Sequence, residues 1–276
     1  MKSIVRLLLT AILCGQAVSA QEPVIPVELR EPNSIRLDGS NITFCITTGG
    51  PIEAFERAVG QAVADALLLE PVFIEVSGDF PLYDEIDLMT TVYQLLNEQC
   101  EAYIGFNLVS DTYPSWLAFS RAYVSIPYTF VVANDGYRSL ADVPRDRPIG
   151  TPVVSVAESA YLTYAATVPA SDRWRRFPYA SEELMLRRVL DGTIEGAFIW
   201  EPSLVRALDA LGEEGASLRR VATDPVRVPP ANVGFAVLAN QTFLQNTLDE
   251  AIASLGADGT IAALLEEHGL VGQAVP

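Results

Sequence analysis

The chain has 276 residues, half of them hydrophobic and 19% charged, with 18 glycines and 18 prolines. That is the composition of a folded globular protein of one or two domains, not of a disordered or fibrous one. Acidic residues outnumber basic ones 35 to 18, a net charge of −17, and so acidic a surface repels phosphate backbones and anionic lipid, which argues against nucleic acid as a partner.

In chain order, the first twenty residues read as an address. Lys2 and Arg6 precede an apolar run at 7–14 (LLLTAILC) that is too short to span a bilayer. Val18-Ser19-Ala20 then supplies small residues before Gln21, the pattern of an export leader cleaved after Ala20. Leu13 stands ahead of Cys14 where a lipoprotein signal wants a small residue. Lys2 is the only lysine, so loss of the leader leaves 16 arginines facing 35 acids, a charge of −19. No later run is long and apolar enough for a membrane helix, so a soluble periplasmic protein without membrane insertion is expected.

Residues 21–40 form a polar, proline-punctuated lead-in. A strand at 42–47 (ITFCIT) is followed by Gly49-Gly50-Pro51 and a helix over 52–69, with Phe55, Val59, Val63 and Leu67 at helical spacing. A strand at 72–76, a helix at 89–97, a strand at 102–106 and a strong apolar run at 128–133 come next. After a charged linker, strand–helix alternation resumes at Ile149, with a helix near 157–166, strands at 176–179 and 196–200, and a helix at 181–191 between them. An apolar strand at 233–239 and two helices separated by Ala257-Asp258-Gly259-Thr260 finish the chain. Such alternation predicts α/β architecture, with parallel-rich sheets covered by helices on both faces. The similar runs at 128–133 and 233–239 bracket the central block. The expected division is therefore one lobe from 41–130 plus 235–276 and a second from 131–234, with two crossovers and a ligand cleft at the strand ends between them.

With Cys14 lost to the leader, Cys45 and Cys100 form an even pair in an oxidising compartment, and a disulfide is expected, two free buried thiols being the alternative. A bridge there would close a loop of about 55 residues, worth roughly 4 kcal/mol in the chain-entropy account.

Four segments resemble the type II periplasmic solute-binding proteins of family 3, the amino-acid receptors of ABC transporters. They are Phe119-Ser120-Arg121-Ala122-Tyr123, Leu190-Asp191-Gly192-Thr193-Ile194-Glu195-Gly196-Ala197, Val233-Gly234-Phe235-Ala236-Val237, and the tail from Leu244 through Ala257-Asp258-Gly259-Thr260 to His268-Gly269. The resemblance runs from about Ile42 to Leu270. It implies a two-lobe fold with two hinge crossovers, capture of a small molecule, and an ABC permease as partner. Those receptors carry an arginine for the ligand carboxylate where Tyr113 stands here, and an acid for the ammonium where Trp200 stands, beside Glu201. Neither replacement balances a zwitterion, so an ordinary amino acid is not the expected ligand. Ala197-Phe198-Ile199-Trp200-Glu201-Pro202, the two cysteines, Arg121, Tyr123, Tyr128, Phe130 and Val131 are similar to the branch that accompanies quinoprotein (methanol) dehydrogenases. That likeness implies the alternative partner, a periplasmic quinoprotein dehydrogenase or its quinone.

The candidate ligand residues carry two readings each. Trp200, Tyr113 and Trp116 could stack on a flat ligand or pack the hinge. Asn107 and Ser110 could contact a ligand or cap a loop. Arg121 could meet an anion or pair with one of the many acids, Glu201 could meet a cationic ligand or be solvated, and Thr151, Ser155 and Ser159 could present hydroxyls or act as helix caps. Two clusters remain. Asp172-Arg173-Trp174-Arg175-Arg176 reads as an anion or docking spot or as a solvated loop, and Asp79, Asp84, Glu85 and Asp87 match no calcium loop. No nucleophile triad, metal motif or phosphate loop appears and the single histidine, His268, has no partner in sequence, so neither cofactor nor catalysis is expected. A dehydratase using Glu201 is the lesser alternative.

Overall fold

The computed structural model describes residues 39–77, 85–108, 113–153 and 155–275. The leader with its cleavage point after Ala20, most of the lead-in, Ser110, Asp79 and Asp84 lie outside the described residues, as do the side chains of Glu85 and Asp87.

The first part of the chain alternates as its periodicity predicts: β1 (Asn41–Thr48), α1 (Glu53–Ala66), β2 (Glu70–Ser77), α2 (Glu85–Glu98) and β3 (Ala102–Asn107). Three short strands follow, β4 (Leu117–Phe119), β5 (Val124–Ile126) and β6 (Tyr128–Val132). The central block holds β7 (Ile149–Pro152), α3 (Val156–Thr167), β8 (Arg176–Tyr179), α4 (Glu182–Leu190), β9 (Gly196–Trp200), α5 (Glu201–Leu211) and β10 (Arg219–Val221). The chain closes with β11 (Ala231–Leu238), α6 (Thr242–Ala257), α7 (Thr260–Glu267) and β12 (Gln273–Ala274).

Two mixed sheets result. The first has the order β12-β5-β11-β3-β1-β2, with β4 pairing β11 as well, and the second has the order β10-β6-β9-β7-β8. β1 runs parallel to β2 and β3, and β7 parallel to β8 and β9, so β1–β3 and β7–β9 end together at their carboxyl termini. The chain leaves the first sheet at Pro127 and returns ahead of Ala231, the two crossovers expected. Their positions differ by a few residues from the sequence division. Tyr128, Thr129 and Phe130 pair with Trp200, Ile199 and Phe198 and so belong to the second sheet, while Ala231 to Val233 pair with β5 and belong to the first. The apolar runs mark strands, but the partner strand decides the lobe.

Each sheet is covered on both faces. On one side of the first sheet Phe55, Val59 and Val63 of α1 join Leu248 and Ile252 of α6 and Ile261 of α7 over Phe44, Ile104 and Phe235. On the other, Val92, Tyr93 and Leu96 of α2 cover Cys45, Tyr103 and Ala236. The second sheet has one core built on Phe130, Tyr161, Trp174 and Phe198 and another on Met185, Leu186, Ile199 and Leu204. The inner strands are buried on both faces, which is why they read as continuous apolar runs instead of alternating ones.

Cys45 and Cys100 are bonded, with an S–S distance of 2.04 Å across a sequence separation of 55. The bridge ties β1 to the turn that enters β3, inside the core that α2 covers. Closing a loop of that length predicts that replacing both cysteines by alanine lowers the unfolding free energy by about 4 kcal/mol. Urea unfolding of the variant and of the parent checks this, and equal midpoints would sink it.

Candidate functional site

The carboxyl ends of the two parallel strand sets face each other across the crossovers, and contacts among the described residues join them. Trp200, last residue of β9, packs against the core of the first lobe while its strand belongs to the second. The next residue, Glu201, donates its backbone N–H to the carbonyl of Pro127 at 3.2 Å. One turn further along α5, Arg206 Nη1 donates to the carbonyl oxygen of Gly49 at 2.6 Å, on the loop that follows β1. Gly49 has a φ of +74°, a left-handed conformation that suits glycine and turns the chain from β1 towards α1.

Sequence order places α5 directly behind β9, without a connecting loop. Trp200 is its N-cap residue, Glu201 lies in its first turn, and Pro202 sits where the missing N–H is harmless. The periodicity reading did not foresee this helix, although Glu201-Pro202 is its start signal. α3 and α4 begin at the same end of the second sheet, capped by Ser155, whose hydroxyl accepts from the Glu158 N–H at 3.0 Å, and by Ser181, which accepts from the Leu184 N–H at 3.2 Å.

The charges at this junction are largely satisfied within the protein. Glu201 is buried and accepts from Arg220 Nε at 2.9 Å and 3.3 Å through its two oxygens. Glu182 stands 3.9 Å from Arg206, and burial raises its carboxyl above the usual range against the opposing pull of the Ser203 hydroxyl and Arg206. Tyr128, opposite Trp200 in the ladder, has its phenol pushed up to about 12, by burial first and by the charge of Glu182 second. Thr151 is fully buried, and its hydroxyl accepts from Arg176 Nη1 at 3.1 Å.

Thr151, Ser155, Trp200 and Glu201 therefore share the carboxyl end of the second sheet, and Asn107 and Gly49 share that of the first. Tyr113 and Trp116 pack on the α2 face of the first lobe. Tyr113 lies against Phe119, with centroids 4.8 Å apart, and its hydroxyl donates to the Asn107 carbonyl at 2.8 Å. Trp116 meets Tyr93 edge-on at 5.0 Å, its indole N–H buried without an acceptor among the described residues. Arg121 is exposed, and its backbone N–H donates to Asp249 of α6 at 2.6 Å.

Beside the Gly49 turn a cavity of about 370 Å³ opens, lined by Gly50, Pro51, Ile52, Phe55, His268 and Leu270 among others, all from the first lobe. His268, the only histidine, meets Phe55 edge-on at 6.1 Å. Among the described residues, no group of three or more metal-ligating side chains converges, and no helix is long and apolar enough to cross a membrane.

Glu56 was not singled out from the sequence. It lies on the buried face of α1 beside Phe55 and Val59, where its 3–4 spacing could have marked it. Gly105 of β3 makes room for it: φ there is +89°, and a Cβ would fall 2.3 Å from Glu56 Oε1. Burial, followed by the charge of Glu53, pushes its carboxyl up to about 7.

No family model matches the chain, and no curated protein matches it. Solved structures do. An ancestral arginine-binding protein bound to arginine superposes with a TM-score of 0.57 at 15% identity, covering 83% of this chain and 98% of that one. The second substrate-binding domain of a putative amino acid ABC transporter from Streptococcus pneumoniae gives 0.60 at 16% identity, over 82% of this chain and 99% of the other. The GluR0 ligand-binding core in complex with L-glutamate gives 0.60 at 13% identity, over 83% and 98%. These likenesses establish the fold, that of the two-lobe type II periplasmic binding proteins, as expected. They lend no support to a quinoprotein partner.

Two predictions follow from the junction. Glu56 ionises above its ordinary value of 4.5 in the unfolded chain but only near 7 in the folded one, so the native state holds the proton longer and loses stability as pH rises through that window. The loss is about 3 kcal/mol. Glu56→Gln should remove it, leaving the variant more stable than the parent at pH 8 and similar at pH 5 in urea melts. Arg206→Ala should leave stability within about 1 kcal/mol but enlarge the radius of gyration in solution scattering, because the Gly49 carbonyl loses its partner across the cleft. An unchanged scattering curve would rule out that role.

Proposed function

We propose that this chain is an exported solute receptor. It captures a small molecule between its two lobes and presents it to a membrane transporter of the ABC type, without altering it chemically. The observation that carries this reading is the junction itself. The carboxyl ends of both parallel strand sets meet where the chain crosses twice and where Trp200 and Arg206 of one lobe touch the other. Such paired crossovers act as a hinge, and closing the lobes removes a ligand from water. The leader pattern at residues 1–20 supports export, and the amino-acid receptors among the similar structures support the transport role.

The ligand class follows from charge. The structures above hold arginine and glutamate, ligands that need opposite charges from their receptor. Here Glu201 is taken by Arg220, Thr151 by Arg176, and Trp200 offers an apolar face. The reading favours an uncharged or delocalised ligand stacked on Trp200, with Ser155 and Asn107 as polar contacts at the two sheet ends. Glu201, ion-paired at 2.9 Å, is positioned as a structural acid and not as a general base.

Thermal denaturation of the purified protein against amino acids, polyamines, sugars, aromatic acids and pyrroloquinoline quinone tests this. A ligand at a hundred times its dissociation constant adds about 2.7 kcal/mol. The expected hit is a neutral or aromatic compound whose stabilisation is dose-dependent and disappears in Trp200→Ala. A free amino acid as the best ligand would overturn the ligand class, and no stabilisation by any compound would overturn the receptor reading.

A further inference from the structure

Seven described arginines reach a carboxylate within 4.0 Å. In a chain with about twice as many acids as bases, that is what chance encounter alone would favour. Arg145 and Arg173 form no such pair, and both act on the Tyr161 hydroxyl, which lies beside Trp174. The guanidinium of Arg145 lies 3.3 Å above the ring of Trp174, which is buried and whose indole N–H donates to the Val143 carbonyl at 3.0 Å. Arg173 and Arg175 flank that tryptophan in sequence. Arg173 Nε donates to the Val168 carbonyl at 2.9 Å, and Arg175 is stacked 5.0 Å over Phe177. The guanidiniums of Arg145 and Arg173 are therefore held in place with N–H groups to spare, and Nη1 of Arg145 is buried with no acceptor among the described residues. The fields of Arg176, Arg145 and Arg173 all reach the Tyr161 hydroxyl, which donates to the Trp174 carbonyl. Arg176 itself is spent on Glu158.

The position separates this cluster from the cleft. Arg145 precedes β7 and Arg173–Arg175 precede β8, and these strands are parallel, with Ile149 opposite Arg176. The cluster thus sits at the amino ends of the strands whose carboxyl ends form the junction. We propose that Arg145 and Arg173, beside Trp174, form a second binding site, for an oxyanion: a phosphate or carboxylate group. Guanidinium forks match such groups in geometry, and the stack on Trp174 and the bond to the Val168 carbonyl preset them so that little side-chain entropy is lost on binding. The orphaned Nη1 supplies the buried donor, and the unpaired charges supply attraction in an otherwise acidic protein.

Calorimetric titration of the purified protein with inorganic phosphate and, separately, with succinate tests the site, at an ionic strength held constant with sodium chloride. Saturable binding of either ion is expected, weakened about tenfold or more in Arg145→Met, as for loss of one charge-assisted hydrogen bond. Arg173→Gln should weaken it comparably, and Arg187→Gln, whose guanidinium is paired with Glu183 and Glu214, should bind as the parent does. If Arg145→Met fails to fold without its stack, Arg173→Gln at an exposed position carries the test. Absence of saturable binding to both ions, or binding unchanged in Arg173→Gln, overturns the proposal.

Discussion

Everything that makes this molecule two lobes meeting at one junction depends on a constraint of parallel strands. Strands that run the same way must be joined by crossovers, so their loops and the starts of the following helices collect at the carboxyl ends. In both sheets those ends belong to the central strands, β1 and β3 in one and β7 and β9 in the other. Because the chain passes between the sheets only at Pro127 and ahead of Ala231, the two collections of loops confront each other. The contacts of Trp200, the Glu201 N–H and Arg206 are consequences of that confrontation.

The energetics divide along the same line. Within each lobe, stability comes from sheets buried on both faces, reinforced in the first by the Cys45–Cys100 bridge between neighbouring strands. Between the lobes the described contacts are few and polar or single aromatic. The Arg206 hydrogen bond to Gly49, at a side chain about half exposed, contributes on the scale of 1 kcal/mol or less. Strong lobes joined by weak contacts suit the opening and closing of the proposed function, since a ligand can shift such an equilibrium only by its own difference in affinity for the two states.

The acidic composition is handled differently in the two places where charge is concentrated. At the junction, Glu201 is paired with Arg220 and Glu182 with Arg206. At the far end of the second sheet, Arg145 and Arg173 reach no carboxylate within 4.0 Å among the described residues, and Arg145 is stacked on the buried Trp174. Seven other described arginines each reach a carboxylate within 4.0 Å.

Local periodicity sufficed for the long elements. The spacing of Phe55, Val59 and Val63 marks α1, continuous apolar runs mark β1, β6, β9 and β11, and an even count of cysteines beyond residue 20 marks the Cys45–Cys100 bridge. It did not reveal β4, β5, β10 and β12, which have only two or three residues each and exist because a longer strand pairs with them. It placed Tyr128, Thr129 and Phe130 in the wrong lobe, because an apolar run carries no information on which strand it will bond. Nor could it separate Trp200, which bridges the lobes, from Tyr113 and Trp116, which pack on one of them. The burial of Glu56 against Gly105 and the stacking of Arg145 on Trp174 join residues 49 and 29 positions apart. Only the tertiary structure decides such contacts, because hydrophobic period is a property of neighbours along the chain, while the local dielectric and the partner of each charge are set by what the fold brings alongside.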